Sequence, residues 1–378
     1  MNSRPPIEPN DPENLGWTSG GAGGLVARAS RRSVQLLLLA AGLALFAGIF
    51  WKVGWPAIAA NLSAIGGWFF LLVGLYLFAQ VAFCLGWWVV IDPLPPLSSF
   101  PRLFGVYLAG DTVNYLSPGS FAGEPLKARI LAATPVRARR VPAETLPAGG
   151  ALASVTIYKH ADMVAQWLFV FAGVAAALWR FPLSSAARWA ALAGVAGLGV
   201  LLGLLTWAVF RGTYGPIVAR LSRWKPLKRR ASRWVEAAKS VDASIRAFYA
   251  DHRGRYFAAV GWNLLGWCGG LLETWIMLRL LTHSEGWWTA FAVEALAMAL
   301  NTMLLWVPAR AGSAEGVRVA VFVLLGLPAA QGAAYSLARR ARELTWILPG
   351  ALYLLAGPLR GGPTKSAKPG PIVAEELP

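Results

Sequence analysis

Pro118-Gly-Ser-Phe-Ala-Gly123-Glu124-Pro-Leu-Lys127 and Pro308-Ala-Arg310-Ala-Gly312-Ser-Ala-Glu315-Gly-Val-Arg318 are two versions of one pattern. Each sets a Pro/Gly-broken stretch before Glu-x-x-(Lys/Arg). Each follows an Asn inside an apolar run, Asn114 and Asn301. Outward from both copies, the runs Val34–Trp51, Trp68–Ile91, Arg188–Phe210 and Tyr256–Leu281 approach or exceed the ~20 residues that cross a hydrocarbon core.

Composition agrees with these lengths. Of 378 residues, 56% are hydrophobic and 14% charged, whereas a soluble domain carries about 25% charged residues. Several of the 19 Trp, among them Trp51, Trp68, Trp179, Trp189, Trp287 and Trp288, stand at run ends, where indole rings favour the headgroup region. Cys84 and Cys268 lie inside apolar runs, so a disulfide framework is not expected. The net charge of +17 is read as positive-inside loops and contact with anionic lipid, and no nucleic-acid motif accompanies it.

The basic clusters Arg28–Arg32, Lys127–Arg140, 211–255 and Arg360–Lys368 set the cytoplasmic side; segment 211–255 alone holds twelve Lys/Arg against three acids. Residues 1–33 read as a disordered cytoplasmic tail. Helix 34–51 goes out and 68–91 returns. A single crossing by 103–133 would strand Lys127–Arg140 outside, so this stretch is predicted as a re-entrant hairpin. Helix 148–178 goes out, 188–210 returns and 256–281 goes out. Segment 287–328 forms a second hairpin, with 287–307 long enough to span instead. Helix 331–357 brings the tail 358–378 back inside.

The predicted fold is an all-α polytopic membrane protein with about six spanning helices and two re-entrant helical hairpins. The halves 34–179 and 188–357 have opposite orientation and form an inverted repeat. Segment 211–255 repeats Leu227, Ala231, Trp234, Ala238, Val241, Ile245 and Phe248 at helical spacing, as a basic amphipathic helix at the inner headgroups does. A solvated loop is the other reading for its first half.

Ionisable groups at membrane depth are costly and therefore candidates for function. The candidate substrate-binding set is Asn114, Glu124, Lys127, Arg129, Lys159, Asp162, Asn301, Arg310, Glu315, Arg318, Arg339 and Arg342. Asp111, His160, Glu273, Glu294, Arg340 and Glu343 are further charges or polar groups at depth. Guanidinium groups suit a phosphate-bearing headgroup, and Glu124/Lys127 would face Glu315/Arg318 as paired gates. Equally, the charges can be internal ion pairs that pin the hairpins. There is no His-Glu-x-x-His, no Cys/His metal spacing, no Walker loop and no Gly-x-Ser-x-Gly elbow in the sequence, so no catalytic residue, metal or cofactor is assigned.

Asn114-Tyr-Leu-Ser-Pro118-Gly-Ser-Phe-Ala-Gly123-Glu124-Pro-Leu-Lys-Ala-Arg129 resembles the first signature of the lysylphosphatidylglycerol synthase transmembrane (flippase-like) family. Lys159-His-Ala-Asp162 is similar to that family's Arg-x-x-Asp, with Lys in place of Arg. Val293-Glu294-Ala-Leu, Val307-Pro308, Gly312-Ser-Ala-Glu315-Gly316, Leu324-Leu-Gly326-Leu327-Pro328 and Ser336-Leu-Ala-Arg339-Arg340-Ala-Arg342-Glu343-Leu344 resemble the family's hopanoid-biosynthesis-associated membrane proteins. Ala309-Arg310 departs from the commoner Pro-Gly-Gly or Pro-Gly-Ala turn. The resemblance implies a polytopic bacterial membrane protein linked to lipid translocation or lipid-linked biosynthesis, and the inverted repeat with charged broken hairpins points to a translocator that moves an amphipathic anionic, polyprenyl-linked or hopanoid-type lipid across the bacterial inner membrane. The expected partners are that lipid as substrate, lipid-biosynthesis proteins and a second copy of the chain in a homo-oligomer. The alternative is a membrane enzyme or subunit of a lipid-linked glycosyl- or aminoacyl-transfer system. With the last predicted helix ending near 357, no soluble aminoacyl-transfer domain is expected.

Overall fold

The computed structural model describes residues 51, 55–117, 122–133, 135–136, 144–145, 148–212, 215–216, 220, 231–282, 286–302 and 312–356. The predicted tails 1–33 and 358–378, the first run apart from Trp51, the Pro118 turn and Arg310 lie outside these residues.

The described chain is helical: α1 Trp55–Ile65, α2 Trp68–Trp88, α3 Phe100–Leu116, α4 Gly123–Ala133, α5 Ala148–Arg180, α6 Ser185–Arg211, α7 Ala231–Asp251, α8 Arg253–Thr282, α9 Trp287–Thr302, α10 Ser313–Leu324 and α11 Ala329–Leu355. A two-residue antiparallel pairing, Pro135–Val136 with Glu144–Thr145, is the one extended pairing among the described residues. Helix α1 falls where the sequence predicts only a connector. Its Pro56 reads as a breaker but sits in the first turn, where proline lacks only a hydrogen bond that no helix makes there.

Four helices, α2, α5, α6 and α8, are long and apolar enough to cross a membrane. Helix α11 has 27 residues, long enough to span at 1.5 Å per residue, but carries Arg339, Arg340, Arg342 and Glu343. Its two faces explain how it packs. Leu344, Leu348, Leu352 and Leu355 recur near helical spacing on the outside, with Leu352 64% exposed, whereas Arg342 is 1% exposed. This is the reverse of a water-soluble amphipathic helix, and it suits a helix with lipid on one side and a polar interior on the other. Helix α6 likewise turns Trp189, Leu192, Val200, Leu204, Trp207 and Phe210 outward.

Packing joins the first and second parts of the chain. Helices α2 and α8 lie side by side; α3 packs on α4 and on α11, while α9 packs on α10 and on α5; α4 packs on α5, and α10 on α11. The apolar interior forms two main clusters. One gathers Leu103, Val106, Ile130, Ile157 and Ile245 around α3, α4, α5 and α7. The other gathers Phe169, Met277, Val293, Phe322 and Tyr335 around α5, α8, α9, α10 and α11.

The α3–α11 crossing is tight because Gly350 has no side chain. A Cβ there would lie 2.2 Å from Thr112 Oγ1 and 2.4 Å from the Leu108 carbonyl oxygen. Beside it Thr112 Oγ1 donates to the Ile347 carbonyl at 3.2 Å. Gly197 on α6 faces open space. Gly350→Ala is expected to destabilise by about 1–3 kcal/mol, read as a lower unfolding temperature in detergent, with Gly197→Ala unchanged or slightly stabilised.

Candidate functional site

A cavity of about 290 Å³ lies where α2, α3, α4, α5, α8, α9, α10 and α11 converge. Its charged lining is Lys127, Lys159, Arg318, Arg339, Arg340 and Arg342 against Asp111, Glu124, Asp162, Glu294 and Glu343. The signs nearly balance, as charges held away from water must. They are not evenly spread: the four arginines all come from α10 and α11.

The wall from the first part of the chain is built on Asn114. Its Oδ1 accepts from the Gly123 N–H at 2.7 Å and its Nδ2 donates to Glu124 Oε1 at 2.8 Å. One amide therefore holds the first turn of α4 against α3. Gly123 allows this approach, because a Cβ there would sit 1.9 Å from the Gly110 carbonyl oxygen. Lys127 Nζ donates to Glu124 Oε1 at 3.4 Å and lies over the Tyr107 ring, 4.7 Å from its centroid. Cation–π contact and an ion pair together let a lysine be buried. On α5, Lys159 Nζ donates to Asp162 Oδ2 at 2.8 Å. Asp111 accepts from Gln80 Nε2 at 3.4 Å, and Tyr107 OH donates to Gln80 Oε1 at 3.3 Å.

The opposite wall is organised by α11. Arg339 meets the Glu294 carboxylate with both terminal nitrogens, and Glu294 Oε2 also accepts from Thr274 Oγ1 at 2.9 Å. Arg340 Nε donates to Glu315 Oε1 at 2.6 Å, and the same guanidinium bonds Tyr115 OH. Tyr115 OH donates to Glu343 Oε2 at 3.1 Å, and Arg318 Nη2 to Glu343 Oε1 at 3.2 Å. Arg342 Nε faces Glu273 Oε1 at 3.1 Å and the guanidinium lies over the Tyr76 ring, 3.7 Å from its centroid. Arg318 Nη1, Arg339 Nε and Arg342 Nη1 are buried without a hydrogen-bond partner among the described residues. All three residues line the cavity, with these nitrogens packed behind its surface.

Of the candidate residues, Asn114, Glu124, Lys127, Lys159, Asp162, Asn301, Arg318, Arg339 and Arg342 line the cavity together. Glu315 stands behind it, bonded to Arg340. Arg129 is exposed and does not line it, because it falls on the face of α4 opposite Lys127 and Ile130. Arg310 lies outside the described residues. The two Glu-x-x-cation copies are wired differently: Glu124 pairs with its own Lys127, whereas Glu315 pairs with Arg340 and Arg318 with Glu343. Asp111, Glu294, Arg340 and Glu343, singled out as charges at depth but not as substrate contacts, also line the cavity. Tyr76, Tyr107, Tyr115 and Tyr158 join them without any charge to flag them.

An all-helical bundle with apolar outer faces and a lining of paired charges defines a multi-pass membrane protein with a polar interior. The chain belongs to the family described as Lysylphosphatidylglycerol synthase TM region, whose model matches residues 34–351. No curated protein and no solved structure matches. The family places the chain among membrane proteins of lipid modification.

The Arg339–Glu294 pair is bonded through both terminal nitrogens of the guanidinium, so removing one partner should be worse than removing both. Arg339→Ala leaves Glu294 with hydroxyl donors alone and is expected to destabilise by about 3–5 kcal/mol. The double variant Arg339→Met/Glu294→Leu is expected to lose less than Arg339→Ala. Unfolding midpoints in detergent for the singles and the double form the double-mutant cycle.

Proposed function

We propose that the protein is a lipid translocator in which the headgroup passes through the charged cavity while the apolar tails stay in the bilayer. The observation that carries this reading is the set of buried, unpartnered guanidinium N–H groups on Arg318, Arg339 and Arg342 at one cavity. Donors left open in a low-dielectric interior favour a ligand that supplies charged acceptors, and a phosphate does so with the geometry guanidinium fits. At about 290 Å³ the cavity sits at the lower end of small-ligand sites. That room suits a headgroup rather than a whole lipid.

The two-repeat arrangement supports the same reading. Exchanging α2 with α8, α3 with α9, α4 with α10 and α5 with α11 carries each of the helix contacts among them into another: α3 on α11 becomes α9 on α5, and α4 on α5 becomes α10 on α11. In this reading α3–α4 and α9–α10 are the two re-entrant hairpins. With 17, 11 and 12 residues, α3, α4 and α10 are each shorter than the ~20 that span. The spanning set is α2, α5, α6, α8, the charged α11 and the run 34–51. The basic segments place both termini and the 211–255 segment on the cytoplasmic side of a bacterial inner membrane. The lipid class is anionic, with polyprenyl-linked and hopanoid-type lipids as the members implied by the resemblance of 293–344.

The test is translocation in reconstituted vesicles of phosphatidylethanolamine and phosphatidylglycerol carrying tail-labelled phosphatidylglycerol, polyprenyl phosphate or hopanoid. The wild-type protein is expected to equilibrate at least one probe between leaflets faster than protein-free vesicles. Arg318→Ala is expected to slow that probe about tenfold or more, since a hydrogen bond to a charged group contributes about 1.5–3 kcal/mol. Rates equal to protein-free vesicles for every probe would refute the proposal.

A further inference from the structure

Lys159 and Arg340 occupy one position in the two repeats. Lys159 lies eleven residues after Ala148, the start of α5, and Arg340 eleven after Ala329, the start of α11. Each has an acid three residues on, Asp162 and Glu343. From Glu124 to Glu315 the offset is 191, and from Lys159 to Arg340 it is 181. The fourteen residues between α4 and α5, against four between α10 and α11, account for the difference of ten. Glu124 and Glu315 are therefore counterparts as well, each in the first turn of a short helix that packs on the helix carrying the cation.

The counterparts are bonded differently. Arg340 reaches from α11 across to Glu315 on α10, with Nε donating to Oε1 at 2.6 Å. Lys159 stays on its own helix with Asp162 at 2.8 Å, and among the described residues it makes no ion pair with Glu124. Glu124 uses Oε1 for Asn114 and Lys127, while its Oε2 is buried without a partner. Lys159 and Glu124 both line the cavity, and the Lys159 side chain is 27% exposed, so the amine has room to turn. One half is latched across its two helices and the other is not.

We infer that Lys159 is a positioning residue that adds Glu124 to Asp162, as Arg340 holds both Glu315 and Glu343, and that the Lys159–Glu124 and Arg340–Glu315 latches close alternately. This rests on the two-repeat translocator reading. Two repeats of one fold can each adopt the other's conformation, so the cross-helix bond seen in the second is available to the first. Closing one latch as the other opens replaces a lost buried ion pair by a new one. The two end states then stay close in free energy, which a protein that cycles between them requires. If both latches closed together, access from either side would be blocked. The asymmetry in the structure is the signature of one end state.

The experiment reads access, not transport, so it needs no lipid substrate. In a Cys84→Ser/Cys268→Ser background, a cysteine replacing Ala79 in the cavity wall is labelled by membrane-impermeant maleimide from each face of oriented vesicles. Glu315→Gln, which opens the Arg340 latch, is expected to shift the ratio of labelling from the two faces about tenfold in one direction. Glu124→Gln is expected to shift it in the opposite direction. Lys159→Met should act as Glu124→Gln does, Lys159→Arg should keep the wild-type ratio, and Glu124→Gln/Glu315→Gln should return towards it. Shifts of the same sign in the two glutamate variants, or a wild-type ratio in Lys159→Met, would overturn the inference. Opposite shifts in a protein that moves no lipid would sustain the alternating latches and reject the translocator reading.

Discussion

Every charge that α11 carries into the interior has to meet an opposite charge on another helix, and the bundle is arranged around that requirement. Arg339 meets Glu294 on α9, Arg340 meets Glu315 on α10, and Arg342 meets Glu273 on α8. Glu343 is met by Arg318 from α10 and by Tyr115 from α3. One helical turn thus ties four neighbours to α11. An uncompensated charge at such depth would cost several kcal/mol, so these pairs fix the rotation of α11 and with it the outward stripe of Leu344, Leu348, Leu352 and Leu355.

In the proposed reading the same pairs are more than pins. Pinning alone would leave each guanidinium fully bonded, yet Arg318, Arg339 and Arg342 each keep a buried N–H without a partner. Glu273 keeps both oxygens in the same condition, because Arg342 meets it in distance and not in hydrogen-bond alignment. A stable soluble core seldom tolerates so many open groups in one place. The proposed headgroup site needs donors that are not already taken, and the unpaired ones belong to the arginine wall.

Much of this was legible in the sequence. Run length and low charge content point to a membrane bundle, and the polar and charged residues read at membrane depth include nine that line the cavity. The errors have physical causes. Arg129 belongs to the same signature as Lys127, but two residues along a helix turn a side chain about 200°, so one is buried and the other exposed. The Glu315/Arg318 gate read from the sequence does not hold together as a unit: Glu315 pairs with Arg340 and Arg318 with Glu343, both on α11, which is the internal ion pairing offered as the other reading. Tyr76, Tyr107, Tyr115 and Tyr158 were illegible, because an aromatic in an apolar run looks the same whether it faces lipid or a lysine. Helix α1 has 11 residues, too few to cross a membrane, so run length did not mark it.

The central claim is that the arginine wall holds a phosphate-bearing headgroup. Mass spectrometry of lipid retained by gently purified protein tests it most directly. The account predicts a phosphate-bearing lipid bound to the wild-type protein and to Arg129→Ala, and lost from Arg318→Ala. Equal retention by all three proteins, or no phosphate-bearing lipid on any of them, would contradict it.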